Sequence, residues 1–392
     1  MQRPDKKIFA VLFFSIFGAV LGVGIVVPLL PVYAHNLGSS GVYIGLIFGS
    51  FSLSRTFFLP FFGRQSDIRG RKPFIAAGLL AYAVISIAFI YSTRVEALIF
   101  VRFIQGIASA MIMPVTQAYI GDITPAGREG FVMGLFNMAM FAGLGFGPVM
   151  GGFINDRFGL NATFLCMGGL TFLGFLLSCC LLPPTRSEHV VSSQAKPVAW
   201  TILLQDSQII GLFGFRFAHA ACIGIIWGFL PVMAASDFSM SSSSIGILVT
   251  LGVLVSGAVH VPAGYLSDRV SKFLLMVIGG VIISVAVLFF QWSRGFWDMF
   301  WINIAFGIGG GISTPALMAL AVIKGTRDGA MGSVMSLMTM SHSLGMLAGS
   351  LLAGWMMDVL QLRSVFPLGA LLMGCGTGLM VVLFYRIRPV PQ

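Results

Sequence analysis

The chain has 392 residues, of which 57% are hydrophobic and 9% charged, and it carries a formal net charge of +10. Its mean hydropathy is +0.96. Soluble domains hold about 25% charged residues, so a chain this poor in polar surface excludes a water-soluble fold and takes lipid as its solvent.

Apolar runs of about 20 residues, the length that crosses a bilayer as a helix, predict twelve spans in chain order: 8–32, 42–62, 74–92, 97–119, 131–154, 160–182, 207–233, 243–265, 273–291, 297–321, 330–357 and 363–385. The first is too long for a signal-peptide core and lacks a small-x-small cleavage site, so it reads as a span. Between the sixth and seventh, PPTRSEHVVSSQAKPVAW is polar and Pro-bearing. It reads as a linker over 184–206, with a short surface helix near Thr201 to Gln208.

The positions of the cations explain the net charge. Sixteen Lys and Arg fall in segments on one side of the predicted topology, from Arg3, Lys6 and Lys7 to Arg386 and Arg388, against four, Arg94, Arg157, Arg294 and Arg363, on the other. By the positive-inside rule both termini are cytoplasmic. The basic charge thus reflects topology and gives no reason to expect nucleic acid. Cys166, Cys179, Cys180, Cys222 and Cys375 all fall within spans without metal-ligand spacing, which argues against a disulfide frame and a metal site. Neither a Walker A sequence nor HExxH nor GxSxG is present, so nothing marks an ATPase or another enzyme, and no cofactor is expected.

The chain repeats itself. Pro31 and Pro231 both sit in LPV, Gly45 and Gly246 both follow Ile, and Gly63 in GRQSD matches Gly264 in GYLSD; Gly106 matches Gly307 and Pro114 matches Pro315. All these offsets are 200 or 201. In the fifth and eleventh spans Gly134, Gly147 and Gly151 align with Gly332, Gly345 and Gly349 at 198. The expected fold is an all-α membrane protein of twelve transmembrane helices in two pseudo-symmetric six-helix bundles, 1–183 and 207–392. Parallel halves related by an axis along the membrane normal place a substrate site near the midplane.

Three motifs carry a resemblance. GRQSDIRGRKP at 63–73 has Gly63, Asp67, Gly70, Arg71 and Lys72 in the positions of GxxxDRxGR plus a base, with Ile68 where Arg is expected and Arg69 one place late; GYLSDRVSK repeats it with Asp268 and Arg269. Arg102, Gln105 and Gly106 form RxxQG. Gly134, Gly143, Gly147, Pro148, Gly151 and Gly152 match Gx8Gx3GPxxGG. Over essentially its whole length the chain resembles the major facilitator superfamily, and the last motif resembles its twelve-helix drug:proton antiporter branch. That resemblance implies alternating access, proton-coupled efflux, a monomer, and a cytoplasmic latch made by Asp67, Arg71 and Asp122, with Arg69 as a substitute for the missing Arg. Independently of the family, Gly143, Gly147 and Gly151 recur every four residues and form one smooth face. With Pro148 as a bend and Gly152 beside it, the face predicts an interface that slides or rocks against a helix of the other half; a static packing seam is the plainer alternative.

Ionisable groups at membrane depth are costly and mark function. The spans hold Arg55, Arg102, Arg216, His219, His260 and His342, and no Asp or Glu well inside any of them. Arg55, Arg102 and Arg216, with the polar Gln105 and Asn137, are the expected substrate cavity; for Arg102 and Arg216, snorkelling to the headgroups is the competing reading. His219 and His342 are the proton-coupling candidates, against a plain role as hydrogen-bonded packing residues; His260, near the inner end of its span, ranks below them. Two functions follow: proton-coupled efflux of amphiphilic small molecules from the cell across its inner membrane, or a carrier of organic anions or lipid-like amphiphiles, which arginines without acids would favour. The expected partners are a small-molecule substrate, protons and the lipid bilayer.

Overall fold

The computed structural model describes residues 3–124, 129–183, 205–267, 269–327 and 331–385, without the side chains of 3–6, 129–131, 133, 134, 137, 331 and 332. The linker from 184 to 204, with the start of the expected surface helix, lies outside the described residues, as do Asp268 and the Asn137 side chain.

Among the described residues the regular structure is entirely helical. In chain order the helices are α1 (Arg3–Val26), α2 (Leu29–Asn36), α3 (Gly41–Arg69), α4 (Arg71–Ile90), α5 (Val95–Ile123), α6 (Glu129–Leu181), α7 (Ser207–Ser236), α8 (Ser242–Ser267), α9 (Lys272–Phe289), α10 (Phe296–Arg327), α11 (Met331–Val359) and α12 (Val365–Tyr385). Ten segments among the described residues are long and apolar enough to cross a membrane.

Two elements differ from the predicted spans for local reasons. The first span is broken into α1 and α2, because Pro28 has no N–H to give and its ring crowds the carbonyl four residues earlier. The fifth and sixth spans both lie in α6, which turns at Gly159, where φ is 78° and a side chain would be strained. Gly70, with φ of 87°, makes the corresponding corner between α3 and α4.

The chain divides into two compact units. One comprises Met1–Ser39, Ser50–Ser192 and Ser239–Thr250; the other comprises Ser40–Gly49, Ser193–Phe238 and Leu251–Gln392. Each is described by itself.

In the first unit the glycine face of α6 meets α1 at backbone distance. A Cβ on Gly147 would stand 2.7 Å from Gly24 Cα, one on Gly143 would stand 3.0 Å from Leu21 N, and one on Gly151 would collide with the Ile25 carbonyl. In lipid no hydrophobic force drives helices together, so close approach over small residues is the main source of association. The partner of this face is therefore α1, in the same half of the sequence, and not a helix of the other half as expected. The contact with the other half runs along the neighbouring edge: Gly152 abuts Ser242, Gly246 abuts the Pro148 carbonyl, and Thr250 Oγ1 donates to the Gly145 carbonyl at 2.5 Å.

In the second unit Gly345 and Gly349 of α11 lie against Phe217 and Ala221 of α7, while Gly45 abuts Ser350 and Gly354 abuts Gly41. These contacts show that α6 and α11 correspond at an offset of 202: Gly152 with Gly354, and Pro148 with Ser350. The offset of 198 read from the glycines is one helical turn short, because glycines spaced by four align equally well after a slip of four.

Candidate functional site

Three polar groups stand out. In the first unit, Arg102 on α5 is 3% exposed and Gln105, one turn on, is 1% exposed. Arg102 Nη1 donates to Gln105 Oε1 at 2.7 Å, and the guanidinium lies 4.6 Å from the Phe51 ring centroid on α3. Gly106 makes this possible, since any side chain there would strike Ser54 and the Phe51 carbonyl. So Arg102 is enclosed by protein and does not snorkel. Arg55 on α3 is half-buried; its Nε, like Gln105 Nε2, is shielded from solvent without a hydrogen-bond partner.

Tyr82 of α4 completes the group. It is 4% exposed, hydrogen-bonds Ser109, and interacts electrostatically with both Arg55 and Arg102. Sequence reasoning missed it, because Tyr passes as an ordinary apolar filler; a phenol within an otherwise apolar span, needing a partner when buried, was the available signal. Asp and Glu are absent from the interior of the predicted spans, and cations buried in such surroundings are costly unless compensated.

In the second unit, Arg216 and His219 lie one turn apart on α7, with His219 5% exposed and Arg216 half-buried. Gly310 of α10 leaves room for the imidazole: a Cβ there would stand 3.3 Å from His219 Nε2. The His219 ring lies 6.2 Å from that of Phe306. His260 of α8, ranked low from sequence, belongs to this group: it interacts electrostatically with His219 and Arg216, and its Nδ1 lies 2.6 Å from the Ser256 carbonyl. Arg216 Nε is shielded without a hydrogen-bond partner. His342 is half-buried on α11, next to Ser341, whose hydroxyl donates to the Phe213 carbonyl at 2.7 Å.

The third group joins α3, α4 and α5. Arg71, at the start of α4, pairs with Asp67, donates through Nη1 to Ser66 Oγ at 2.9 Å, and donates through Nε to Asp122 Oδ2 at 3.2 Å. One arginine thus serves both acids, and its side chain is 13% exposed. Arg69 is exposed at the end of α3, so the bridge to Asp122 is made by Arg71 and needs no Arg in the place of Ile68. The turn at Gly70 brings Arg71 back over Asp67. Next to it, Lys72 Nζ donates to the Cys179 carbonyl at 2.8 Å, near the end of α6. Among the described residues no cluster of His, Cys, Asp or Glu is arranged to hold a metal ion.

The sequence pattern of the Major Facilitator Superfamily matches residues 12–223 and 212–392. An uncharacterised MFS-type transporter of Methanocaldococcus jannaschii is 30% identical over 385 residues, covering 95% of this chain and 96% of that protein. The quinolone resistance protein NorA of Staphylococcus aureus is 28% identical over 366 residues, 91% of each chain. Among solved structures, the nucleoside transporter NupG superposes with a TM-score of 0.79 at 14% identity, covering 98% of this chain and 99% of that one. A bacterial homologue of the human lysosomal transporter Spinster gives 0.82 at 13% identity, covering 98% and 96%.

Proposed function

Because the chain belongs to the Major Facilitator Superfamily, whose members are transporters and not enzymes, we propose that it is a secondary-active carrier working by alternating access, which exports amphiphilic small molecules in exchange for protons. In this reading the twelve spans form two six-helix halves, 1–183 and 207–392, joined by the linker, with both termini cytoplasmic and the chain in the cell inner membrane as a monomer. The glycine face of α6 is the observation that carries it. Gly143, Gly147, Pro148, Gly151 and Gly152 complete the antiporter motif, and their contacts show a seam on α1 and the start of α8 closed at backbone distance. The likeness to NorA over 91% of both chains supports export.

In the same reading Arg55, Arg102, Gln105, Asn137 and Arg216 line the substrate path, His219 is the proton-coupling group with His342 as the other candidate, and Asp67, Arg71 and Asp122 form the cytoplasmic latch. The absence of Asp and Glu from the interior of the predicted spans favours a second reading in which the cargo is an organic anion. Counterflow in proteoliposomes, with cationic, neutral and anionic amphiphiles and with and without an imposed pH gradient, separates the two. Cationic or neutral cargo driven by the gradient supports the first, stimulation by anions alone replaces it with the second, and no counterflow with any class removes both.

A further inference from the structure

Asp156 and Asp358 drew no attention as sequence, one lying between spans and the other at a span end, yet the structure gives them the same task. Asp156, near the corner of α6, takes the Ser242 N–H on Oδ1 at 3.0 Å and the Ser243 N–H on Oδ2 at 2.8 Å. It also accepts from Ser243 Oγ at 2.5 Å, and Asn155 Nδ2 donates to Ser242 Oγ at 2.8 Å. Asp358, in the last turn of α11, takes the Gly41 N–H on Oδ1 at 2.5 Å and the Val42 N–H on Oδ2 at 2.9 Å. The acids correspond at 202 and the helix starts at 201, so this is one arrangement built twice.

The first N–H groups of a helix have no partner within it and form the positive end of its dipole. Usually a local side chain caps them. Here the caps come from 86 and 317 residues away, and glycines make the approach possible: Gly152 lets α6 reach the Ser242 carbonyl, and Gly354 lets α11 reach that of Gly41. In each case a helix start from one half of the sequence is tied to a helix end from the other. α3 begins at Gly41, which Asp358 caps, and ends at Arg69, two residues before Arg71, a length of about 43 Å at 1.5 Å per residue.

We propose that Asp156 and Asp358 are the two members of a duplicated clasp, each carboxylate holding the start of α8 or α3, and that their joint release is the step that opens this end of the carrier. The clasp rests on the carrier reading for its purpose. Its strength suits the task, since two backbone hydrogen bonds to a carboxylate bias an equilibrium without locking it and water can replace them when the helices part.

The test is a distance measurement by electron paramagnetic resonance in lipid, with spin labels at Phe158→Cys and Ser239→Cys, both exposed positions, in a chain whose native cysteines are replaced by Ser. Asp156→Asn raises the long-distance population relative to the short one about 5-fold, and Asp358→Asn raises it by a similar factor at this same label pair, with about 25-fold in the double variant. Ser243→Pro gives a second route. It deletes the N–H that Asp156 accepts while Pro remains tolerated in a first helical turn, and it shifts the population the same way. Local fraying alone would leave the 158–239 distances unchanged in Asp358→Asn, and that result, or no shift in Asp156→Asn and Ser243→Pro, overturns the clasp. The measurement needs no substrate, so a protein that shows the release yet moves no cargo counts against the carrier reading and not against the clasp.

Discussion

Lys324 Nζ stands 2.5 Å from Asp206 Oδ2, tying the last turn of α10 to the cap of α7. The same carboxylate accepts from Gln208 N at 2.8 Å and Ile209 N at 3.3 Å. Partial burial acts to raise its pKa, but the Lys324 hydrogen bond and the two N–H groups outweigh it, so the carboxyl is held below its ordinary value. A depressed folded value means that the stabilisation is complete above the unfolded carboxylate value of about 3.9 and drains away as pH falls through the folded one. Asp206→Ala should therefore cost about 1 kcal/mol at pH 7, the usual worth of a cap. The gap from the unaltered protein should close in strongly acid buffer. Thermal unfolding in detergent, followed by circular dichroism across pH, checks this; a gap that stays constant down to the lowest pH would sink it.

Arg71 is the hub of its group, so removing it strands two acids while removing either acid strands only one bond. Asp67→Ala and Asp122→Ala should each slow transport about 5-fold, roughly 1 kcal/mol of lost pairing, and Arg71→Ala should slow it more than either. Arg71→Lys should not rescue, because one ammonium lacks the fork that reaches Asp67, Ser66 and Asp122 together. Arg69→Ala should behave like the unaltered chain. Initial rates in vesicles, normalised to protein present in the membrane, decide it, and full activity of Asp67→Ala removes the group from the mechanism.

Gly147 and Gly169 lie on the same helix and should respond in opposite directions to the same methyl. An Ala at Gly147 drives into Gly24 and the Ile25 backbone, and overpacking of this kind costs about 1–3 kcal/mol. Gly169 has nothing within 4 Å of its missing Cβ, so Ala there gains up to about 1 kcal/mol of helix propensity. Unfolding midpoints in detergent for the two single variants provide the comparison. Equal effects would mean that the α1–α6 seam is looser than its contacts indicate.

What could be read from the chain alone was what local chemistry dictates. Apolar runs match a bilayer's thickness because each helix must satisfy its own backbone in lipid, so the all-helical, membrane-spanning class was legible, though not the exact number of spans. The turn at Gly159 was legible as the gap between 131–154 and 160–182, whereas the break at Pro28 was not, 8–32 reading as one span. The motifs were legible as well, being short strings with a known spacing. Arg102 and Gln105 were found together because they share one face of one helix.

Tertiary structure alone decided which distant groups meet. The glycine face of α6 was visible as a face, but nothing local says whether α1 or a helix of the other half covers it, since lipid offers small residues no directional preference. Tyr82 met its polar partners Arg55, Arg102 and Ser109 only when α3 and α5 packed beside it, and His260 met His219 only when α7 and α8 packed together. Nothing in the sequence singled out Asp156 or Asp358, because a backbone N–H supplied from 86 or 317 residues away leaves no trace in the neighbouring sequence. The slip from 202 to 198 has the same origin: a repeat of glycines every four residues fixes a direction along the helix but not a position, and only the bonds made by unique residues, such as these two acids, settle the register.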